Sequence, residues 1–226
     1  NIAQFYLRGD GIEIGALHKP LQVAPSRCRV KYVDYKSYEE NRARYPELQN
    51  EPIVNTDIID DGFVLGSLPG DSQDFVIANH ALEHSPDPYG TVENWLSKLR
   101  PAGVIYAAIP IAEKCYDKGR AVTSLQHLVD DHDFFSSNDK IAILEVTREH
   151  ISEFISISDK NIRDSMGMEP ADTANQTQLC NELMQGLKQA FSQASKYSEL
   201  IGAHVVTINK QYDIHYHTFT PRSYET

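Results

Sequence analysis

The sequence predicts an α/β fold built on a doubly wound, mostly parallel sheet. Short apolar runs rich in β-branched residues recur along the first half of the chain, and a polar residue closes each of the first four. These closing residues are Glu13, Asp34, Asp57 and Asn79, which lie 21–23 residues apart. Such a spacing accommodates a strand, a crossover and the next strand, which is what parallel pairing requires.

Five runs are assigned as buried strands because each is short, apolar and rich in β-branched or aromatic residues. They are residues 11–15, 29–34, 52–57, 74–79 and 103–109. Ligands of open α/β sheets bind at the carboxyl ends of the strands. The four closing side chains are therefore expected to meet at one edge of the sheet.

The crossovers between these strands are uneven. Residues 37–48 are predicted to be helical, with Ser37 as the N-cap and Glu40 three residues later. Residues 91–99 carry apolar side chains at helical spacing. The first crossover contains Pro20 and Pro25, so no full helix is expected there.

After Pro110 the pattern becomes mainly helical. Helices are predicted over 124–131, 139–157 and 179–200, a loop over 159–177, and strands over 204–209 and 212–219. We therefore expect a core over 1–135 and a helical insertion after the fifth strand over 136–226, within one domain. The chain begins at Asn1 and ends at Thr226. Either a C-terminal part is missing or residues 204–219 replace the last strands of the sheet.

Composition narrows the classes of function. The chain has 226 residues, 41% of them hydrophobic, and a formal net charge of -11. An acidic surface repels phosphate backbones, so no nucleic-acid partner is expected. Three distant cysteines and the lack of a signal peptide favour a reducing, cytoplasmic compartment. No apolar run approaches the roughly 20 residues of a membrane span. The oligomeric state is left open.

Several ordered motifs together resemble a known family. They are Gly11-Ile12-Glu13-Ile14-Gly15-Ala16, Tyr32-Val33-Asp34, His80-Ala81-Leu82-Glu83-His84, Asp87-Pro88, Leu99-Arg100-Pro101-Ala102-Gly103 and the stretch 120–132. The set resembles class I S-adenosylmethionine-dependent methyltransferases, and more narrowly bacterial members found beside polysaccharide-biosynthesis genes. The resemblance covers residues 9–135 and touches 215–221, and it implies a Rossmann-like methyltransferase fold.

The resemblance also implies a role for several residues in binding S-adenosylmethionine. Gly15 and its neighbours Glu13 and Ala16 would form the loop under the methionine part of the cofactor. Asp34 would hold the ribose hydroxyls, as a strand-end acid does in dinucleotide folds.

The adenine and the transferred methyl group are assigned in the same way. Asp57, with the Ile58 backbone, would lie against the adenine. Asn79 and His80 would flank the methionine portion and the methyl group. The core over 1–135 would then bind the cofactor, and residues 136–226 would cover the acceptor.

The glycine loop departs from the family pattern. Gly15 is present, but Leu17 and Lys19 stand where further glycines are common. This departure keeps a rival function open, in which the chain is a non-catalytic adenosyl-binding module of methyltransferase fold.

Methyl transfer to a hydroxyl needs a general base, and histidine suits that role at neutral pH. Nine histidines are present. We predict His84 or His127 as the catalytic base. The expected acceptor is a small molecule or a sugar, methylated on oxygen rather than nitrogen.

Two metal alternatives compete with this interpretation, although no metal is assigned. Residues 80–84 fit the HxxEH pattern of zinc peptidases, but Pro86 and Pro88 follow at once and leave little helix to hold it. His215 and His217 would share one face of a strand and form a His-x-His site.

Overall fold

The computed structural model describes residues 2–169, 172–209 and 212–220. The chain divides into two compact units. Unit 1 comprises the residues up to Leu82 together with Thr91–Ala108, and unit 2 comprises Glu83–Gly90 together with the residues from Ile109 onward. Across the described ranges, no helix combines the length and the apolar character that crossing a membrane requires.

Unit 1 is built on a five-stranded parallel sheet, which confirms the predicted fold class. Its strands are β1 Gly9–Ile14, β2 Cys28–Asp34, β3 Ile58–Ile59, β4 Gln73–Asn79 and β5 Leu99–Ala108. Their order in the sheet is β3-β2-β1-β4-β5, and every pair is parallel. The strand order reverses between β1 and β4, so the sheet has a switch point there, where α/β folds bind ligands.

The core of unit 1 lies along the two central strands. Ile12 of β1 and Phe75 and Ile77 of β4 are fully buried. Gly11 is required beside them, because a Cβ at that position would lie 2.3 Å from the Phe75 ring. The continuous burial of Phe75–Ala78 is typical of a parallel strand covered on both faces.

Three helices begin in the first half of the chain: α1 Ile2–Tyr6, α2 Tyr38–Arg44 and α3 Pro88–Lys98. The predicted N-terminal cap of α2 is confirmed, because the Ser37 hydroxyl accepts from the Glu40 amide and the Glu40 carboxylate accepts from the Ser37 amide. The first crossover contains no helix, as its two prolines predict.

Unit 2 is mainly helical. Its helices are α4 Leu125–Ser137, α5 Lys140–Glu153, α6 Lys160–Ser165, α7 Thr173–Phe191 and α8 Tyr197–His204, with π-helical turns at Phe154–Asp159 and Val205–Asn209. Ser124 caps α4 through the His127 amide, and Asp139 caps α5. The helix predicted after Ser124 is therefore present, and it continues to Ser137.

Four predictions for the second half of the chain are wrong. The helix predicted over 179–200 is not continuous, because α7 ends at Phe191 and α8 begins at Tyr197. Residues 204–209 are not a strand: helix α8 continues into a π-helical turn because burial of Val205 and Ile208 outweighs their strand preference. The predicted loop over 159–177 contains α6 and the first turn of α7. Residues 212–219 have no regular secondary structure apart from one parallel bridge between Ile111 and Phe219, so the strand predicted there is absent.

Candidate functional site

Two predicted site residues end neighbouring strands of unit 1 at the same edge. Ile14, the last residue of β1, pairs with Val33 of β2 and Ala78 of β4. Asp34 and Asn79 are the next residues of those strands and close them. The edge that carries both side chains is the carboxyl edge of the sheet, where ligands of this class of fold bind.

The loop after β1 leaves room at this edge. Gly15 has a φ of +64°, and a Cβ added there would meet no described atom within 4 Å. Leu17 and His80 also adopt positive φ, at 46° and 51°, although neither is glycine. Such backbone strain clusters at ligand sites, where the surrounding structure holds it in place.

The side chain of Asn79 carries a buried acceptor atom that lacks a described hydrogen-bond partner. Its Oδ1 has no hydrogen bond to any residue the structure describes. Buried polar atoms are nearly always hydrogen-bonded, because an unmade bond costs about 1–3 kcal/mol. A ligand with an N–H or O–H group would supply the missing donor.

The side chain of Asp34 is held in place by hydrogen bonds to its carboxylate. Its Oδ1 accepts from the Lys36 amide at 2.9 Å. Burial raises the pKa of Asp34, and hydrogen bonds from the Lys36 amide and the Asn41 side chain oppose that rise. These hydrogen bonds therefore fix the orientation of the carboxylate.

Glu13 does not close β1 as predicted, because it lies inside the strand, one residue before its end, and its side chain bonds to the loop that follows. Both of its carboxylate oxygens accept from the Leu21 amide, at 2.9 and 3.1 Å. Burial raises the pKa of Glu13, and the hydrogen bond from the Leu21 amide opposes part of that rise. The side chain thereby fixes the path of the loop that contains Gly15 and Ala16.

The predicted third strand is misplaced. Strand β3 is Ile58–Ile59, so Asp57 precedes it and does not end it. Asp57 pairs with Tyr32 in the middle of β2: its amide donates to the Tyr32 carbonyl and its Oδ2 accepts from the Tyr32 amide. The apolar run before it turns away from the sheet, since the Val54 amide donates to the Leu17 carbonyl.

Asp61 is a candidate site residue that the sequence analysis missed. It follows β3 by two residues, and its Oδ1 accepts from the Phe63 amide at 2.8 Å. Its Oδ2 is buried and has no hydrogen-bond partner in the described part of the chain. Burial raises the pKa of this carboxyl to about 6. The Asp60-Asp61 pair could have indicated this residue in the sequence, but the third strand was predicted to end before it, at Asp57.

Unit 2 contains a buried cluster around His215. Its Nδ1 lies 2.5 Å from Asp117 Oδ2, and its Nε2 lies 2.5 Å from the Tyr116 hydroxyl. Arg120 donates to Asp117 Oδ1 at 3.0 Å and to the His215 carbonyl at 2.7 Å. These contacts use both ring nitrogens of His215.

His84, one of the two predicted bases, lies beside this cluster. Its Nδ1 is 2.9 Å from the Ile214 carbonyl, and its ring stacks edge-on against His215. Because a carbonyl only accepts, Nδ1 carries the proton and Nε2 is the basic nitrogen of the neutral ring. Burial, with a further effect of His215, lowers the pKa of His84 to about 4. Burial likewise raises the pKa of its neighbour Glu83 to about 8.

His127, the other predicted base, belongs to a second cluster in unit 2. Its Nε2 lies 3.4 Å from Asp131 Oδ2, one helical turn along α4. His150 and His217 also face this carboxylate. The hydrogen bond to Asp131 raises the pKa of His127, against the effect of its partial burial.

The structure does not support either metal alternative derived from sequence. Only Leu82–His84 forms a short 3-10 turn, and His80 lies outside it with positive φ, so the helical face that a zinc peptidase needs is absent from residues 80–84. His215 and His217 do not share a site either. His215 contacts Asp117, whereas His217 faces Asp131.

A cavity of about 730 Å³ lies within unit 2 beside the His215 cluster. Its lining includes Tyr116, Asp159, Asn161, Tyr212 and Asp213. Aromatic faces combined with a few carboxylate and amide groups are typical of sites for polar small molecules.

Residues 10–107 match a family model described as a methyltransferase domain. This segment, which is less than half of the chain, is similar to a methyltransferase domain. The match confirms the predicted class of enzyme, an S-adenosylmethionine-dependent methyltransferase, at the level of this domain. A search of curated proteins finds no significant match to the chain.

Solved structures similar to the chain are distant. One is the CurJ carbon methyltransferase, 17% identical with a TM-score of 0.36, over 47% of this chain and 31% of that chain. Another is a Galdieria sulphuraria protein provisionally called a sarcosine dimethylglycine methyltransferase, 13% identical with a TM-score of 0.34, over 89% of this chain and 76% of that chain. The chain thus spans less than a third of the length of the first.

Proposed function

We propose that this protein transfers the methyl group of S-adenosylmethionine to an oxygen of a small-molecule or saccharide acceptor. The observation that carries the proposal is the orphaned Asn79 Oδ1, buried at the carboxyl edge of the sheet within the methyltransferase domain. The open space at Gly15 and the fixed carboxylate of Asp34 occupy the same edge.

Each of these groups fits one part of the cofactor. The loop of Gly15 and Ala16 admits the methionine portion closely, because no side chain stands at Gly15. Asp34 accepts hydrogen bonds from the ribose hydroxyls. Asn79 Oδ1 accepts from the amino group of the methionine portion, beside His80.

The adenine end has two candidate partners. The family resemblance assigns Asp57 and the Ile58 backbone, which precede and begin β3. The structure adds Asp61, whose buried Oδ2 can accept from the exocyclic amine of adenine. We favour Asp61, because both Asp57 contacts described above are used in pairing with β2.

The cofactor, when bound, supplies a methyl group on a sulfonium leaving group, so alignment with the acceptor accounts for much of the acceleration. An acceptor hydroxyl must lose a proton, and we assign that step to His84 or His127. His84 is neutral near pH 7 and presents Nε2 as its basic nitrogen. The His127 side chain is partly exposed, but its Nε2 contacts both Asp131 and His150.

A saccharide acceptor is supported by the lining of the 730 Å³ cavity in unit 2. The lining combines the aromatic side chains of Tyr116 and Tyr212 with the carboxylate and amide groups of Asp159, Asn161 and Asp213, which are residue types that suit sugar rings and hydroxyls. The resemblance to bacterial proteins encoded beside polysaccharide-biosynthesis genes points to the same class of acceptor. The net charge of -11 opposes a nucleic-acid acceptor.

The test is a methyl-transfer assay that measures S-adenosylhomocysteine formation with nucleotide sugars, short oligosaccharides and small amines as acceptors. The proposal expects turnover with a hydroxyl-bearing acceptor and the added mass of one methyl group on its oxygen. Turnover on amines alone would overturn the choice of oxygen.

One observation favours a second candidate, a non-catalytic adenosyl-binding module. Leu17 stands where a glycine is common and adopts a left-handed conformation that costs about 1 kcal/mol or more. Tight S-adenosylhomocysteine binding with no turnover on any acceptor would support that function instead.

A further inference from the structure

Four side chains of unit 2 converge on one point. His127 and Asp131 lie one turn apart on α4, His150 lies near the end of α5, and His217 lies in the segment 212–220, which has no regular secondary structure. One ligand-type atom from each of the four falls within 4.8 Å of all the others. We propose that these four residues bind a zinc ion, which links three segments of unit 2.

The distances match the ligand cage of a tetrahedral zinc ion. Bonds of 2.0–2.1 Å in a tetrahedron place the ligand atoms about 3.4 Å apart. Asp131 Oδ2 lies 3.1 Å from His150 Nε2, 3.4 Å from His127 Nε2 and 3.6 Å from His217 Nε2. The Nε2 atoms of His127 and His150 are 3.3 Å apart.

The ring of His217 gives independent evidence for a ligand. Its side chain is fully buried, and neither ring nitrogen makes a hydrogen bond to any described residue. Its Nε2 lies 3.6 Å from Asp131 Oδ2, and its ring stacks edge-on against the rings of His127 and His150. A neutral imidazole with an unused lone pair, aimed at a carboxylate and two other imidazoles, is the form in which histidine binds zinc.

Hydrogen bonding alone does not account for the cluster. Three imidazole Nε2 atoms approach the same oxygen of one carboxylate. Two of those atoms also approach each other, although two N–H groups cannot bond together. A cation at the centre resolves both conflicts, because every Nε2 then offers a lone pair.

The electrostatic surroundings also favour a cation. The Asp131 side chain is 1% exposed, so the carboxylate that the three imidazoles face is held away from bulk water. Asp130 and Glu149 add negative potential at His127. The His127 side chain is 38% exposed, which leaves an entry path for the ion.

The other two groups of candidate ligands in unit 2 are weaker. Both depend on His215, whose two ring nitrogens contact Asp117 and Tyr116. Asp117 in turn accepts from Arg120 and Ser158. His215 and Asp117 are thus hydrogen-bonded to protein groups without an ion.

The zinc site does not depend on the proposed methyl transfer, but it bears on the choice of base. Zinc coordination would occupy the Nε2 lone pair of His127 and remove that residue from the two candidates. His84 would then be the remaining predicted base.

The test is the zinc content and zinc affinity of the full chain, purified without a histidine tag and titrated with ZnCl₂ against a chromophoric chelator. The proposal expects one zinc per chain, and an affinity at least 100-fold weaker in His217→Gln and in Asp131→Asn, as expected when a ligand is lost. His132→Gln is the matched control, because it removes a histidine from the same helix outside the cluster. It should bind zinc as the unaltered chain does.

Cobalt gives a second reading that does not require a variant to fold. Co²⁺ bound to the unaltered chain should show the intense visible absorption of a tetrahedral site, displaced by one equivalent of Zn²⁺. Absence of zinc binding by the unaltered chain, or equal affinity in Asp131→Asn and His217→Gln, would overturn the proposal. Neither result depends on cofactor or acceptor, so a failure here leaves the methyl-transfer proposal intact.

Discussion

Asp34 and Asn79 close the strands on either side of β1, each one residue beyond a partner of Ile14. The relationship places a carboxylate and a buried, unpartnered amide oxygen at one edge of the sheet in unit 1. Gly15 directly follows β1 at this edge, and a Cβ there would meet no described atom within 4 Å, so a substitution at Gly15 tests the edge as a binding site.

Gly15→Ala should weaken S-adenosylhomocysteine binding by more than it weakens the fold. Its φ of +64° makes any side chain cost about 1 kcal/mol in stability, but the added Cβ meets no described atom within 4 Å. Gly167→Ala is the matched control, with a φ of +67° and equally open surroundings in unit 2. Calorimetric titration should show weaker binding for Gly15→Ala alone; equal binding by both variants would contradict a cofactor at this loop.

Asp61→Asn should make the protein more stable at neutral pH. Burial raises the pKa of Asp61 to about 6, above its ordinary 3.8, so its charged form destabilises the fold. The favourable contribution of the protonated group is complete below about pH 4 and is lost as the pH rises through about 6. At pH 7 the loss is on the order of 2–3 kcal/mol.

Urea unfolding at pH 4 and at pH 7 measures this difference. Relative to the unaltered chain, the free energy of unfolding of Asp61→Asn should be higher at pH 7 than at pH 4. The other titrating groups are the same in both proteins and cancel in this comparison. A constant difference across this range would show that Asp61 titrates normally.

Asp61→Ala should also weaken S-adenosylhomocysteine binding more than Asp57→Ala does. Only Asp61 has a buried carboxylate oxygen without a partner in the described residues, whereas Asp57 is exposed and bonded to Tyr32. Loss of a hydrogen bond to a charged acceptor costs about 1.5–3 kcal/mol, or roughly 10–150-fold in affinity. The opposite order would favour the adenine assignment implied by the family resemblance.

Arg120→Ala should strongly destabilise unit 2. The side chain is 1% exposed, and it donates to Asp117, to Glu153 and to the carbonyls of His215 and Tyr216. Removing one partner of a buried pair costs about 3–5 kcal/mol, because the other charge stays buried. Thermal unfolding should show this loss.

The control for Arg120 is Arg163→Ala. Arg163 pairs with Asp159 on the surface of unit 2, with both side chains a quarter to a third exposed. Such pairs contribute about 0–1 kcal/mol. Similar losses in the two variants would mean that the Arg120 contacts are not the source of its effect.

The sequence predicted the sheet better than the second half of the chain. The run that ends at Asn79 is largely apolar, the run that ends at Asp34 is rich in β-branched and aromatic residues, and their spacing predicts parallel strands without any tertiary information. The third strand cannot be predicted in this way, because its two paired residues carry no periodicity and the apolar run that ends at Asp57 does not pair.

Tertiary contacts explain what the sequence did not show. Val205 and Ile208 favour strands by their branching, yet burial keeps them helical. The approach of His127 to His217 brings together residues 90 positions apart, and no local pattern predicts it. The alternation that paired His215 with His217 assumed a strand that the described residues do not form.

The measurement closest to the central claim is calorimetric titration of the unaltered chain and of Asp34→Ala with S-adenosylhomocysteine. We expect the unaltered chain to bind one equivalent, and the variant to bind about 1–3 kcal/mol more weakly, which is the scale of charge-assisted hydrogen bonds lost from a site. No binding by the unaltered chain, or the same affinity in the variant, would contradict an adenosyl site at the carboxyl edge of the sheet.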